Sequence, residues 1–562
     1  MVAQRQTSYL EKEIGRLKIT AAEAVEHAHH FTDFKKYLHV ERPIQREIEK
    51  VLRNRQGVDE PHLLLLCGSV GDGKSHLLAY LNDSSEGLLS EYKVFNDATE
   101  SARPEETALE TLEETFKNFS DEHWETKNEK IVIAINLGVL HKFIMSDQTK
   151  YTFDRFKETI RNSGIFDEGT INVQQRGNID LVSFAHYQIY DLLEDRVQSD
   201  YLMSLLQKVC IKDVSNPFYA AYKQDEVSGI RTIVHENFDF LGREEVQHQV
   251  VQLMCRLMIE RKVSISSRHF LDFLADIIVP LSDADGIEQY VPSLLYNNRG
   301  RSDLLDEVSH LHPIHARLEY IDQLMVRLHT SDHLEGVCEE YVTCPIARKW
   351  LLDAIDTQSE EEFFHFFTST LYLTNRTFAE EVEPESYKEY VRYLHGFNVG
   401  SRKAIRAFYA FLKQAIFNWK EQPKEGYVYV KRLPNDIGIA QELELSMSID
   451  HLRSHQVVEE DGKLRAFAPY LTVAYEKDGQ VEMMRIDYAL YTLLDKVVNG
   501  YRPNKQDRED AVAFVEYLER LMGFGEKEEK MLISFLKEKK EYELKLQHFG
   551  DEVYYEMNRI GE

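Results

Sequence analysis

The chain has few cysteines and no long apolar run, and each shortage excludes a class of protein. Five cysteines in 562 residues do not make a disulfide framework, which favours a reducing compartment. A membrane span needs roughly 18 to 20 consecutive apolar residues. The longest candidate, Leu271 to Leu281, is interrupted by Asp272 and Asp276. The N-terminal stretch carries charges where a secretory signal has its apolar core, so we expect a cytoplasmic protein that does not contact the membrane.

Basic residues are also scarce. The chain has 67 Lys and Arg against 96 Asp and Glu, a formal net charge of −29. Because DNA affinity comes from clustered Lys and Arg, a surface coated for DNA is excluded, although a local basic groove or a basic partner remains compatible with DNA contact. Cys338 and Cys344 are spaced more widely than zinc ligand pairs, so we expect them to be structural even though His333 lies nearby.

Length and residue pattern predict four regions. At roughly 150 residues per domain the chain has room for about four units. We expect an N-terminal helical segment over residues 1–60 and an α/β core over 61–225. A helical lid or interaction domain is expected over 226–420, and a C-terminal α+β domain over 421–562.

Apolar runs predict a βαβ alternation in the core. HLLLLCGS, directly after Pro61, is too short for a helix and typical of a strand buried on both faces of a parallel sheet. Further strands are predicted in Glu91 to Asp97 and Lys130 to Leu140, with a helix over Glu105 to Phe119 between them. Helical patterns then dominate, except for a possible fourth strand at Asn178 to Phe184.

The residue pattern of the C-terminal half changes once, from helical to strand-like. Residues 230–415 have apolar positions at helical spacing and almost no strand signal. From about Gly426 strand-like runs return, with Asp478-Gly479 set like a hairpin turn. A mainly helical tail is predicted from Tyr488 to the end.

The strongest motif matches the phosphate-binding pattern GxxxxGK[ST] between an apolar strand and a helix. Its glycines allow successive N–H groups to turn inward as an anion nest at a helix N-terminus. Lys74 is expected to reach the β- and γ-phosphates and Ser75 to ligate Mg²⁺. The motif predicts a site for ATP and Mg²⁺ whose binding residues are Gly68, Ser69, Val70, Gly71, Asp72, Gly73, Lys74, Ser75 and His76.

An acidic strand end of the hhhhDE kind is missing, so two residues compete for the catalytic role beside Lys74. Asn136 ends the run IVIAI and suits an attacking water, although it is a weak magnesium anchor. Asp97 ends KVFND and has the charge that a metal ligand needs. Each has a structural alternative, an Asx turn or cap for Asp97 and a strand-end turn for Asn136.

Adenine is the expected base. Asn504-Lys505-Gln506-Asp507 matches the NKxD letters with which GTPases read guanine, but it follows a turn-forming stretch with no buried strand, which indicates coincidence. The segment Tyr37 to Ile44 precedes the motif at a distance where many ATPases place an adenine-contacting strand or loop.

Three further groups of residues are candidates for a functional role, and each also has a purely structural interpretation. Arg268 opens a helix-like stretch from which a lid can direct a guanidinium at the γ-phosphate, unless it is only solvated or paired. Arg299 and Arg301 form a second basic spot, for which a surface loop is the simpler interpretation. Asp450 with Asp461-Gly462-Lys463 imitates a metal-dependent nuclease pattern, but its composition is that of a turn.

Several segments in order resemble the DptF family, the ATPase component of DNA phosphorothioation-dependent restriction (Dnd/Dpt) systems. They are CGSVGDGKSHLLAYL, FNDATES, AINLGVL, NPFYAAY, ISSRHFLDFL and PSLLYNN, spread over roughly residues 60–400. The resemblance implies a bacterial defence ATPase that works with two companion subunits, DptG and DptH, against DNA lacking the host's sulfur modification. The sequence has no apparent nuclease site of its own, and DNA contact is expected through the complex.

Pattern and resemblance together predict an α/β P-loop NTPase core (AAA+/STAND-like) followed by a helical domain and a C-terminal α+β region. The expected activity is ATP binding, with hydrolysis, within a restriction complex. The alternative is a nucleotide-controlled scaffold or signalling switch with little turnover. The oligomeric state is open.

Overall fold

The structure is a computed structural model that describes residues 8–26, 32–68, 72–83, 87–96, 108–124, 128–166, 173–184, 187–297, 300–316, 318–434, 436–449, 458–459, 461–524, 530–549 and 552–560. The chain divides into two compact units. The first contains Met1–Leu192, Val197–Pro384 and Lys463–Phe467. The second contains Leu193–Arg196, Glu385–Gly462 and Ala468–Glu562.

Three helices open the first unit, as the N-terminal pattern predicts. They are α1 (Tyr9–Glu26), α2 (Asp33–Leu38) and α3 (Pro43–Arg55). In α3 the proline occupies the first turn, where its missing N–H costs no hydrogen bond. Ile44, Ile48 and Leu52 recur at helical spacing and are fully buried, which fixes the face that α3 turns to the core.

A five-stranded sheet follows, with strands in the order β2-β3-β1-β5-β4. Its first four strands in that order are parallel, and the last is antiparallel to its neighbour. The strands are β1 (His62–Gly68), β2 (Tyr92–Phe95), β3 (Lys130–Asn136), β4 (Val173–Arg176) and β5 (Ile179–Ser183). The helices between them are α4 (Lys74–Asp83), α5 (Ala108–Thr115), α6 (Leu137–Met145) and α7 (Asp154–Ser163).

Strand β1 shows why its apolar run is continuous. Leu63, Leu65 and Cys67 pack into a core with residues of α5, α6 and α7. Leu64 and Leu66 point to the other face and pack with α3 and α4. Every residue of β1 is buried, as predicted for a central parallel strand.

Two element boundaries in the core differ from prediction. The helix expected over Glu105 to Phe119 is described from Ala108 to Thr115, followed by a 3₁₀ turn at Lys117–Phe119. The run Lys130 to Leu140 is strand only to Asn136, because the Asn136 side chain caps α6 and starts a helix at Leu137.

A second, three-stranded sheet in the first unit was not predicted. It contains β6 (Tyr187–Leu192), β7 (Val197–Gln198) and a strand from far along the chain, Leu464–Ala466. That distant strand pairs antiparallel to β6, with Leu464 opposite Leu192 and Ala466 opposite Tyr187. A strand of three residues is too short to show the alternation of apolar and polar residues by which strands are predicted, so it is recognised only from its partner.

The predicted helical region is confirmed. The capping box Ser359–Glu362, for example, starts a helix whose side chains are largely buried. In the first unit the helices are α8 (Asp200–Cys210), α9 (Pro217–Val227), α10 (Ile233–Leu241), α11 (Glu244–Glu260), α12 (Ser267–Ile278), α13 (Val291–Tyr296), α14 (Asp303–Ser309), α15 (Glu319–Thr330), α16 (Leu334–Tyr341), α17 (Pro345–Ile355), α18 (Glu360–Thr374) and α19 (Arg376–Glu381). Two long helices, α20 (Glu385–Asn398) and α21 (Arg402–Lys420), belong to the second unit.

The second unit contains two antiparallel sheets, one of three strands in the order β10-β12-β13 and one of five in the order β16-β15-β14-β9-β8. Its elements after α21 are β8 (Tyr427–Leu433), β9 (Ile437–Glu442), β10 (Ser446–Met447), β12 (Leu471–Lys477), β13 (Gln480–Ile486), α22 (Tyr488–Val498), α23 (Lys505–Asp510), α24 (Val512–Met522), β14 (Lys530–Phe535), β15 (Lys540–Phe549) and β16 (Glu552–Ile560). The strand Leu464–Ala466 of the first unit is β11 in chain order.

The predicted hairpin at Asp478-Gly479 is confirmed. Both residues have positive φ, +52° and +78°, and Lys477 pairs with Gln480 across the turn. The prediction of a helical tail to the end of the chain is wrong after Met522, because β14, β15 and β16 follow. Glu, Lys and Leu in KEYELKLQHF favour a helix locally, but pairing on both sides of β15 makes this segment a strand.

Among the helices of the described residues, none is long and apolar enough to cross a membrane.

Candidate nucleotide-binding site

The carboxyl ends of the parallel strands bring several predicted residues to one edge of the sheet. Gly68 at the end of β1 pairs with Asn136 at the end of β3. On the other side of β1, Cys67 pairs with Ser183 of β5. Open α/β sheets bind ligands outside this edge.

The space beside Gly68 is crowded by Asp72 and Phe184. A Cβ atom at this position would come within 2.5 Å of Asp72 Oδ2 and 2.9 Å of Phe184 Cβ, too close for any side chain. The same point lies 3.4 Å from Lys74 Nζ, so the ammonium group reaches back over the strand end. Gly73 has φ +85°, a left-handed conformation that glycine adopts without strain. The predicted loop residues Ser69, Val70 and Gly71 lie outside the described part of the chain.

Helix α4 begins at Lys74, so Lys74, Ser75 and His76 form its first turn. The first N–H groups of a helix have no partner within it and favour an anion. The Ser75 hydroxyl donates to the main-chain carbonyl of Asn96, 3.1 Å away, which joins this turn to the end of β2.

His76 belongs to a cluster of rings beside α4. His76 Nε2 lies 3.3 Å from His39 Nδ1, and the His39 ring stacks on Tyr80 with 3.5 Å between centroids. The His76 residue is exposed at the surface of α4. Partial desolvation, with the nearby His39, Lys35 and Arg42, lowers the pKa of His76 to about 4. His76 is therefore neutral at physiological pH.

The segment Tyr37 to Ile44, predicted to contact adenine, is a connection between helices and contains no strand. It includes the end of α2, the residues His39 to Arg42 and the start of α3. His39 Nε2 contacts Gln45 Oε1 at 3.0 Å, which orients the ring that faces Tyr80 and His76. The segment thus adjoins the first turns of α4.

Arg42 is a site residue that sequence reasoning missed. Its Nη1 donates to the Asp72 carbonyl at 2.6 Å, and its guanidinium lies 5.8 Å from the centroid of Phe184 and 5.5 Å from that of Tyr201. By holding this carbonyl, Arg42 fixes the direction of the peptide that leads into Gly73. The sequence pointed to Arg42 only through its position in the Tyr37 to Ile44 segment, which was expected to contact adenine.

Of the two candidates for the strand-end role, the structure describes Asn136. Asn136 Oδ1 accepts a hydrogen bond of 2.8 Å from the Gly138 N–H and caps α6, which matches the structural alternative for this residue. Asp97 lies outside the described residues.

Asn96, directly before Asp97, is a second residue that was missed. Its main-chain carbonyl accepts from Ser75, while its side-chain Oδ1 is buried with no hydrogen-bond partner. A buried carbonyl oxygen without a donor is costly and is a ligand type that Mg²⁺ or its bound water accepts. The residues present therefore fit a magnesium nucleotide at this edge. The signal in the sequence was a carboxamide directly before Asp97 in the short run KVFND.

Arg268 is the second residue of α12 and is exposed. Burial raises the pKa of the Asp272 carboxyl one turn later, and the charge of Arg268 opposes that shift. The preceding residue, Ser267, places its Oγ 2.5 Å from the Tyr201 hydroxyl, and the Tyr201 ring faces Arg42. The first turn of α12 is thus joined to Asp72 through Tyr201 and Arg42.

If Arg268 pairs with the γ-phosphate, Arg268→Ala should weaken ATP binding about 10- to 100-fold and leave ADP binding unchanged, because ADP lacks that group. Equilibrium titrations with both nucleotides check this. Arg261→Ala, which removes an exposed arginine paired with Glu307, is the matched control. Equal losses for ATP and ADP would assign Arg268 a structural role instead.

The remaining candidates have structural roles where the chain is described. Asn504 and Asp507 bind each other's backbone N–H groups in a capping box that starts α23, so the NKxD letters are a helix cap. Asp461-Gly462 is a turn, as predicted, and Lys463 pairs with Asp200. Asp450 and Arg299 lie outside the described residues.

Arg301 is not in a solvated surface loop. Its Nε lies 2.7 Å from Asp276 Oδ1, and its side chain is only 12% exposed. A structural ion pair therefore occupies this arginine.

All five cysteines are buried and free, and burial raises the pKa of Cys338 to about 11. A buried thiol with a raised pKa is a poor metal ligand. Within the described ranges, no group of three or more His, Cys, Asp or Glu side chains is placed to hold a metal ion.

Comparison with protein-family models, with curated proteins and with solved structures finds no match to this chain. A functional proposal therefore depends on the geometry of the sheet edge and on the order of the sequence motifs.

Proposed function

We propose that residues 61–225 are a P-loop NTPase core of the AAA+/STAND-like kind that binds ATP with Mg²⁺. One observation carries the proposal: Lys74 Nζ lies 3.4 Å above the point where a Cβ of Gly68 would stand, at the carboxyl end of a central parallel strand. A flexible cation, a strand-end glycine and a helix N-terminus meet there. These are the three elements that a bound phosphate needs.

Each residue has a separate role in this proposal. Lys74 pairs with the β- and γ-phosphates, and the N–H groups at the start of α4 cradle them. Ser75, whose hydroxyl donates to the Asn96 carbonyl, would hold the magnesium ion together with Asn96 and Asp97. The ion itself supplies charge neutralisation between the phosphates. The base lies by His39, His76 and Tyr80, whose rings adjoin α4.

The wider proposal is an ATP-hydrolysing subunit of a bacterial DNA phosphorothioation-dependent restriction complex. The resemblance of ordered motifs to the DptF family supports it, and companions like DptG and DptH are the expected partners. The formal net charge of −29 agrees with DNA contact through those partners.

A nucleotide-controlled scaffold or switch with little turnover is the second candidate. The residues that end β1, β3 and β5 are Gly68, Asn136 and Ser183, so these described strand ends hold no acid. Without a carboxylate base beside the water, hydrolysis is slow.

Titration of the full chain with ATP, ADP and GTP, each with Mg²⁺, tests the core proposal. We expect ATP to bind in the micromolar range and more tightly than GTP. Steady-state turnover with and without DNA then separates the two candidates. Turnover stimulated by DNA or by companion subunits supports the ATPase, and tight binding without turnover supports the switch. Failure to bind any nucleotide would overturn both.

A separate expectation concerns DNA. Because the chain carries a net charge of −29, unaided binding to duplex DNA at physiological salt should be no tighter than about 10⁻⁴ to 10⁻⁶ M. Labelled duplex, modified and unmodified, is titrated with the chain alone and with its companions at two salt concentrations. Tight, salt-sensitive binding by the chain alone would move DNA recognition onto this subunit.

A further inference from the structure

Tyr201 lies between two features that the proposed function uses separately. Its ring faces the guanidinium of Arg42, 5.5 Å from the ring centroid, and Arg42 in turn holds the Asp72 carbonyl. Its hydroxyl lies 2.5 Å from Ser267 Oγ at the start of α12. Tyr201 therefore contacts Arg42 through its ring and the first turn of α12 through its hydroxyl.

The position of Tyr201 is well constrained. It is the second residue of α8, which is capped by Ser199, whose hydroxyl accepts from the Leu202 N–H. Leu202 and Leu206 are fully buried, so α8 cannot rotate without opening the core. Helix α8 also packs against α12. A shift in the position of Arg42 is therefore passed to α12 by Tyr201, which a rigid helix α8 holds in place.

Arg42 is placed to respond to the nucleotide. Its Nη1 lies 3.5 Å from the point where a Cβ of Gly73 would stand, beside the start of α4. A triphosphate brings more negative charge to this point than a diphosphate, and it attracts the guanidinium more strongly.

We propose that Tyr201 is a positioning residue that couples the phosphate loop to the first turn of α12, so that ATP, in preference to ADP, fixes Arg268 toward the γ-phosphate. The coupling depends on the proposed ATP site. It assigns a role to the Tyr201–Ser267 hydrogen bond, which touches neither nucleotide nor metal.

The test removes this hydrogen bond from each side. Tyr201→Phe keeps the ring that Arg42 faces, and Ser267→Ala keeps the helix. Each variant should lower the ratio of ATP to ADP affinity about three- to tenfold, the range for one lost hydrogen bond, while ADP affinity stays unchanged. The double variant should lose no more than either single variant, because both remove the same interaction.

Tyr219→Phe is the matched control, because Tyr219 lies on α9, where its ring faces Lys223 with Nζ 5.4 Å from the ring centroid. Thermal unfolding of all variants separates coupling from stability, since a purely structural loss lowers the affinities for ATP and ADP together. If wild-type chain binds ATP and both variants keep its ATP to ADP ratio, the coupling is wrong and the ATP site stands. If wild-type chain binds no nucleotide, the proposed function fails and the coupling fails with it.

Discussion

Lys74→Ala should abolish measurable ATP binding, with an affinity loss of at least about 10²-fold. Charge-assisted hydrogen bonds to phosphate contribute about 1.5–3 kcal/mol each, and Lys74 is expected to serve two phosphates. Calorimetric titration with Mg·ATP measures the loss, and steady-state turnover should fall with it.

The fold of this variant should be intact, because the ammonium group lies at the sheet edge and fills no core position. Lys74 Nζ lies 6.0 Å from the ring centroid of Phe184. Lys36→Ala provides the control, since Lys36 is exposed on α2 and pairs with Asp83 at the far end of α4. A Lys74→Ala chain that binds ATP as tightly as wild type would rule out the phosphate-loop assignment.

The second large effect is expected at the strand ends. Asp97→Asn should lower Mg²⁺-dependent turnover about 10²-fold and leave Mg²⁺-independent nucleotide binding nearly unchanged, because it removes a charge without removing volume. Asn136→Ala should mainly cost stability, about 1 kcal/mol, since it removes the cap of α6. Turnover, nucleotide affinity with and without Mg²⁺, and thermal unfolding are measured for both.

Asn136→Ser separates capping from chemistry, because serine restores a helix cap without the carboxamide. Suppose that Asn136→Ser regains the stability that Asn136→Ala loses but does not hydrolyse ATP, while Asp97→Asn keeps wild-type turnover. Asn136 at the end of β3 would then have the catalytic role, and Asp97 would not.

The parallel core was predictable from sequence because its signals are local and redundant. β1 is flanked by Pro61 and a glycine loop, and its apolar run needs no partner to be recognised as a strand. The hairpin at Asp478-Gly479 has the same property, since two residues suited to positive φ specify the turn.

Segments whose partners are distant in sequence were not predictable. β11 is strand only because Leu464 pairs with Leu192, about 270 residues away along the chain. β15 has a helix-favouring composition, and pairing with β14 and β16 overrides it. Local propensity differs by tenths of a kcal/mol per residue, which tertiary pairing readily exceeds.

The amino-acid sequence by itself determined the strand β1, the helix that begins at Lys74, the helical region and the acidic net charge of the chain. These follow from periodicity and residue type, which act over a few neighbouring residues. Only the tertiary structure decided that Arg42 holds the Asp72 carbonyl, that Asn136 caps a helix opposite Gly68, and that Tyr201 joins Arg42 to α12. Such contacts arise when packing brings distant segments within hydrogen-bond distance, and no local pattern encodes that distance.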